Sequence, residues 1–233
     1  MSSRSAIINH VFKFEKNSIG RPDYMVIFKT EVMRMETMII LPDPEKKLDY
    51  PLMKALENRR TTRKWKDDEL SEQELSNLLW AACGITKIKK GNMKSKRTVP
   101  SACNSQEIRV YVLMKQGVFL YNEDNNELFM IHSKDIRENI GTQKMMKSAP
   151  LGLVFVADLS RMSGPLFKSQ EARQFCAWVD TGYISQNIYL YCAASNLGTA
   201  VIALVDRETL HESMNLQDHE KIVVTQVVGH SIE

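Results

Sequence analysis

Residues 171–204 read EARQFCAWVDTGYISQNIYLYCAASNLGTAVIAL, a long helical pattern that runs straight into an apolar strand. Between Glu171 and Asn196 apolar side chains recur at helical spacing through Ile184, Ile188, Tyr191 and Ala194, and Leu197-Gly198 closes the pattern. Val201–Val205 is then a short β-branched strand. Trp178 and Gly182 suit a helix at a subunit interface, where a glycine permits close backbone approach; a central core helix would show the same pattern.

Working outward, Arg207–Met214 reads as a helix and Ile222–Val228 as a final strand. Upstream, Leu151–Ala157 is a nearly continuous apolar strand and Asp135–Ile140 a short helix. Val118–Tyr121 and Leu128–Ile131 flank Asn122-Glu123-Asp124-Asn125-Asn126, whose side chains favour a turn, so this segment is a hairpin. Ile108–Met114 alternates as a strand should. Ser71 and Glu74 form a capping box, after which Leu75, Leu78, Leu79 and Ala82 repeat at helical spacing, with Gly84 able to end the helix in a left-handed conformation. Pro51 opens another helix carrying Leu52, Met53, Ala55 and Leu56. Helices and strands interleave without a regular βαβ repeat, which implies an α+β fold.

The 233 residues are too many for one average domain and too few for two. Residues 51–233 are expected to form the domain and residues 1–50 an amino-terminal extension or arm. Met33, Met35 and Met38 crowd the approach to Leu41-Pro42-Asp43-Pro44, so synthesis could begin at one of them. At 43% hydrophobic and 25% charged residues the chain can bury a core. A net charge of +3 is too small to argue a nucleic-acid or membrane partner. No apolar run approaches a membrane span, and no signal-peptide pattern opens the chain. Cys83, Cys103, Cys176 and Cys192 lie far apart without zinc-ligand spacing, which implies a reduced, cytoplasmic protein with no metal site. Only Cys103, next to Asn104, stands near a candidate site.

Three segments could carry chemistry. Arg59, Arg60 and Arg63 with Thr61 and Thr62 gather three guanidinium forks and two hydroxyls, a donor set matched to a phosphate, although Asp67, Asp68 and Glu69 follow and the run would also serve as a solvated face. Pro100-Ser101-Ala102-Cys103-Asn104-Ser105-Gln106 brings small and amide-bearing residues to the start of a strand, where they could read the edge of a heterocycle or form an ordinary polar loop. Leu197–Leu204 offers backbone amides where a helix gives way to a strand. The loop Thr86–Arg97 holds Lys87, Lys89, Lys90, Lys94, Lys96 and Arg97 with no acidic residue, and could attract the phosphates of a nicotinamide donor; without interleaved aromatics it offers no base-stacking platform for nucleic acid.

In this order the segments resemble the FMN-dependent nitroreductase family: RRTTR at 59–63, PSACN at 100–104, APLGLVFVAD at 149–158, DTGYISQNIYLYCAASNLG at 180–198 and VVGH at 227–230. The resemblance runs from about Leu52 to His230 and is nearest the short-form branch of NAD(P)H nitroreductases and heterocycle-oxidising flavoproteins. It implies a mainly antiparallel sheet flanked by helices, and a homodimer with FMN at the interface. Arg59, Arg60 and Thr61 match the segment that holds the FMN phosphate and ribityl chain. Arg63 matches the basic residue near the pyrimidine side, where a cation favours the reduced, anionic flavin. Pro100, Ser101 and Asn104 match the segment along the flavin, contributed by the other subunit, and Ala203 and Leu204 fall where relatives present backbone amides. Many relatives have Glu-Gly at those two positions, and many carry a basic phosphate-binding pair beyond the last strand, a role that His230 could fill or that the amino-terminal arginines could cover alone. No side chain is expected to act as catalytic acid or base. The implied activity is ping-pong transfer of hydride from NAD(P)H through FMN to a nitroaromatic, quinone or similar acceptor. A flavin oxidase or dehydrogenase of a specific heterocycle, or a non-catalytic flavin-binding module, would carry the same motifs.

Overall fold

The computed structural model describes residues 38–88, 94–143 and 149–232. The expected alternative start sites at Met33 and Met35, most of the arm, and Lys89 and Lys90 of the lysine loop lie outside these residues. The described elements are strand β1 (Met38–Ile40), helices α1 (Leu52–Asn58) and α2 (Glu72–Cys83), strands β2 (Ile85–Lys87), β3 (Lys96–Arg97), β4 (Ile108–Met114), β5 (Gly117–Asn122), β6 (Glu127–His132) and β7 (Leu151–Asp158), helix α3 (Gln170–Ala194), strand β8 (Leu197–Ile202), helix α4 (Arg207–Ser213) and strand β9 (Glu220–His230).

Seven strands make one sheet in the order β1-β6-β5-β4-β7-β9-β8, every neighbouring pair antiparallel. The expected α+β, mainly antiparallel architecture is the one found. Side chains alternate across the sheet. Val110, Val112, Leu153 and Phe155 face a layer built by Leu75, Leu78 and Leu79 of α2 and Ile184 and Ile188 of α3. Tyr111, Leu113, Val154 and Val156 face the opposite layer, with Ile136, Ile140, and Leu210 and Met214 from α4 and the residue that follows it. Strand β7 sits between both layers and is buried at all eight positions, which is why its sequence is apolar without alternation.

Helix α2 starts as its sequence predicts: Ser71 Oγ accepts from Glu74 N–H at 3.2 Å and Glu74 accepts from Ser71 N–H at 2.8 Å. Four expectations differ from the structure. Gly84 is extended (φ −66°, ψ 162°) rather than left-handed; the Trp80 ring lies 2.2 Å from where its Cβ would stand, so glycine is required by packing. The helix expected at Asp135–Ile140 is a single 3₁₀ turn, Arg137–Asn139. Strand β8 begins at Leu197 and ends at Ile202, not Val201–Val205, because Leu197 already pairs with His230. Residues 38–50, expected within the arm, supply β1, which pairs with β6 in the sheet, and Leu41, which is buried in the core.

Segment 62–66 is fastened across the ends of β8 and β9. Thr62 N–H donates to Thr199 O at 2.9 Å and Lys66 N–H to His230 O at 3.0 Å. Between them the Trp65 indole is buried and donates through Nε1 to Gly198 O at 3.1 Å. Gly198 pairs with Gly229 across the ladder, and a Cβ on either would meet Thr62 or Trp65 at 2.7–2.8 Å. The two glycines together form the seat for the indole.

A Gly198→Ala substitution is therefore expected to cost about 1–3 kcal/mol through overpacking. Urea unfolding of the full chain measures it, with a fall in midpoint at constant slope as the expected result.

Candidate functional site

Helix α1 ends at Asn58 with Arg59 capping it, and from there the chain turns along α3. The Arg59 guanidinium lies 5.4 Å from the centroid of the Tyr189 ring, a cation–π contact. Tyr189 OH stands 3.1 Å from Thr61 Oγ1 and accepts the Val201 N–H, also at 3.1 Å. One phenol thus ties the arginine segment to both α3 and the edge strand β8. Arg60 folds back, its Nη1 donating to Glu57 O at 2.7 Å and Arg59 O at 3.1 Å, where it satisfies carbonyls at the end of α1. Arg63 is exposed.

The second segment is held from a different side of α3. Asp180 Oδ2 accepts the Ala102 N–H at 2.8 Å. Ser105 Oγ donates to Glu107 Oε2 at 2.5 Å, and Ser101 Oγ accepts the Gln106 N–H at 3.0 Å. Cys103, Asn104 and Gln106 all have φ between 52° and 53°, the left-handed region that non-glycine residues adopt at a cost of about 1 kcal/mol or more each. That conformation survives because the buried carboxyls grip both ends of the turn. Asn104 is fixed in orientation: its Oδ1 accepts from Gln106 Nε2 at 3.1 Å and its Nδ2 donates to Ser95 O at 3.4 Å. Pro100 and Cys103 are exposed, Ser101 half-buried.

Asp180 and Tyr189 are nine residues apart on one helix, hence about 13 Å apart along its axis and on opposite sides of it. The arginine and asparagine segments of one chain therefore do not share a pocket. Between these two flanks α3 exposes Phe175, Trp178, Val179 and Tyr183. The first two are 63% and 61% exposed, large apolar side chains that the described residues leave uncovered.

Asp180 and Glu107 form a buried carboxyl pair, with 5% and 0% exposure. Burial, and then the facing Glu107 carboxylate, push Asp180 up to about 7, against the Ala102 N–H bond, which favours ionisation. Glu107 Oε1 finds no hydrogen-bond partner among the described residues, which leaves a buried carboxyl oxygen unsatisfied beside Asp180. The sequence carried a signal for this pair: Asp180 occupies the buried helical position between Cys176 and Ile184. Nothing local marked Glu107 or Tyr189.

The remaining expected residues divide. Ala203 and Leu204 are exposed just past β8, their carbonyls accepting from Arg207 and Thr142 at 3.3 Å. His230 does not stand open to a phosphate. Its Nε2 lies 3.0 Å from Glu74 Oε1 and its Nδ1 3.0 Å from Asp68 Oδ2, contacts that raise its pKa and surround it with negative charge. Burial pushes the Cys83 and Cys192 thiols up, as befits small core residues, and Cys103 is the exposed cysteine. No group of three metal-ligating side chains occurs among the described residues.

The model of the nitroreductase family matches residues 56–230, which include every residue placed above. A protein of Methanocaldococcus jannaschii provisionally named a nitroreductase is 26% identical over 210 residues, covering 85% of this chain and 99% of its own. A solved structure from Ralstonia eutropha, described in the same terms, is 33% identical with a TM-score of 0.77 and covers 84% of this chain and 90% of that one. A Desulfovibrio desulfuricans structure of that description, in complex with FMN, shares the fold at 17% identity and a TM-score of 0.56, covering 79% of this chain and 88% of its own.

The carboxyl pair makes stability depend on pH. Asp180 binds its proton more tightly folded than unfolded, so its contribution is full below the ordinary aspartate range and is lost as pH rises through about 7. His230 adds a loss in the same direction as pH rises through its raised folded value. The melting temperature of the wild type is expected to fall between pH 5 and pH 8, within the span about pH 7 set by Asp180. In Asp180→Asn the fall is expected to be smaller, as scanning calorimetry of the two proteins side by side would show.

Proposed function

The chain belongs to the nitroreductase family, and from that premise we propose that it is a homodimeric FMN-dependent oxidoreductase, passing hydride from NAD(P)H to a nitroaromatic, quinone or similar electron-poor acceptor by a ping-pong cycle. The observation that carries this reading is the arrangement around α3: a cationic segment on one flank, an amide-bearing turn on the other, and an uncovered apolar stripe between them. When bound, FMN supplies the two-electron chemistry, and the protein's part is to hold, orient and electrostatically tune it.

The residues present fit that group. Arg59 and Arg63 with the Thr61 hydroxyl, and the donors that Arg60 keeps beyond its folded-back Nη1, make a donor set for a phosphate and ribityl chain, and Tyr189 holds Arg59 and Thr61 in place. A cation at Arg63 beside the pyrimidine side of the flavin favours uptake of electrons by charge stabilisation. Pro100, Ser101 and Asn104 lie along the flavin in this reading, and Ala203 and Leu204 border it through their backbone. His230 does not fit the phosphate role, since two carboxylates engage it.

A second copy of the chain is the natural cover for the stripe. Phe175, Trp178 and Tyr183 recur at helical spacing, and Leu52 and Met53 of the neighbouring α1 are 63% and 75% exposed. A Cβ at Gly182, in the middle of the stripe, would meet nothing within 4 Å among the described residues, so no contact with them requires a glycine there. Packing two stripes together brings the arginine flank of one protomer toward the asparagine turn of its partner, which unites the segments that one chain keeps apart. A cytoplasmic location accords with this reading; no described helix is long and apolar enough to cross a membrane.

The visible spectrum tests the reading. The purified protein with FMN is expected to show a bound-flavin spectrum that bleaches when NADH or NADPH is added anaerobically and recovers on adding a nitroaromatic. A flavin that binds and is not reduced by either nicotinamide would favour oxidation of a dedicated heterocycle instead. Arg59→Ala is expected to weaken FMN binding by about 10- to 100-fold, the loss of one charged hydrogen-bonding partner, measured by fluorescence titration.

A further inference from the structure

Beside Asn104 lies a cleft of ≈ 310 Å³ lined by Lys94, Lys96, Cys103, Ser105, Arg161 and Phe167. Three of those side chains are cations, brought from two places in the sequence. Lys94 and Lys96 come from the approach to β3 and from β3 itself, and Arg161 from the 3₁₀ turn after β7.

Lys94 and Arg161 are held by backbone carbonyls, and Lys96 is exposed at the rim. Lys94 turns inward and donates from Nζ to Ser105 O. Arg161 donates through Nη1 to Gln106 O at 2.8 Å and has Nε 3.4 Å from Asp158 Oδ2, which leaves other donors of its fork uncommitted. Neither lysine has a carboxylate within ion-pair distance among the described residues. Burial, and then the neighbouring guanidinia of Arg161 and Arg97, pull Lys94 below the usual lysine value. Like charges are thus crowded around a concavity without full compensation, an arrangement that an anion would relieve. Phe167, itself buried in the core, closes the floor of the cleft.

We propose that this cleft is an anion-binding subsite that takes the carboxylate or phosphate of a ring-bearing substrate lying beside Asn104. The inference rests on the flavin reading for the position of the reacting ring, and the charge of the substrate is what it adds. An acidic nitroaromatic or quinone acceptor and the 2′-phosphate that distinguishes NADPH from NADH share the required chemistry. Lys94, Lys96 and Arg161 hold the anionic oxygens.

Paired probes differing in one charge test it. Calorimetric titration of the full-length protein is expected to show 4-nitrobenzoate binding about tenfold more tightly than 4-nitrobenzyl alcohol, the difference shrinking as salt is added. Lys96→Glu is expected to abolish that preference and Lys96→Arg to keep it; Lys96 is exposed, so neither change disturbs a buried contact. With FMN bound, Michaelis constants for 4-nitrobenzoate against the alcohol, and for NADPH against NADH, tell which substrate brings the anion: the preference that Lys96→Glu removes marks the source. Equal affinity for the two nitroaromatics together with equal constants for the two nicotinamides would overturn the subsite, as would preferences that Lys96→Glu leaves intact. Failure to bind or reduce FMN would instead overturn the flavin reading, and the calorimetric comparison would still decide the subsite.

Discussion

A single indole seated on two glycines fixes the relation between the sheet and the cationic segment. Trp65 can be buried across β8 and β9 because Gly198 and Gly229 face each other in register and leave the space that two side chains would fill. Its Nε1–H is satisfied by Gly198 O, so the polar edge of the ring enters the core at no cost in lost hydrogen bonding. Backbone bonds at Thr62 and Lys66 flank the ring and hold the chain in line. With Trp65 anchored, Arg59–Arg63 has one course available, over Tyr189 and along α3. The donor set for a phosphate is therefore positioned by the core and not by the loop that carries it.

The same helix anchors the opposite flank by a different means. A turn with three left-handed non-glycine residues would relax if left alone, and the Asp180–Glu107 pair prevents it by accepting from Ala102 and Ser105. Burying two carboxyls is tolerable when one remains protonated, which ties the geometry of this turn to pH. An apolar stripe runs between the two anchors. Helix α3 thus acts as core element on its buried side, as fastener on its flanks and, in the proposed dimer, as interface on its exposed side.

Much of this was legible locally. The Ser71–Glu74 box, the apolar run of β7 and the turn between β5 and β6 each depend on residues a few positions apart, and each is where its pattern places it. Expectations departed where a distant partner intervened. Gly84 answers to the Trp80 ring, β8 starts early because Leu197 meets His230, and residues 38–41 join the sheet and core because β6 and α2 offer an edge and a layer to complete. His230 looked free at the end of a strand; Asp68 and Glu74 reach it across more than 150 residues of sequence, in space only.

By itself the sequence determined the fold class, most of the elements and the segments rich in phosphate-binding and amide-bearing side chains, because periodicity and side-chain chemistry are properties of neighbouring residues. Tertiary structure alone decided which of them meet. Strand register set Gly198 against Gly229, helical phase set Asp180 against Glu107 and Tyr189 on the far side, and packing closed Lys94, Lys96 and Arg161 around one cleft. Those outcomes depend on how faces of separate elements come together, a relation that no local pattern encodes.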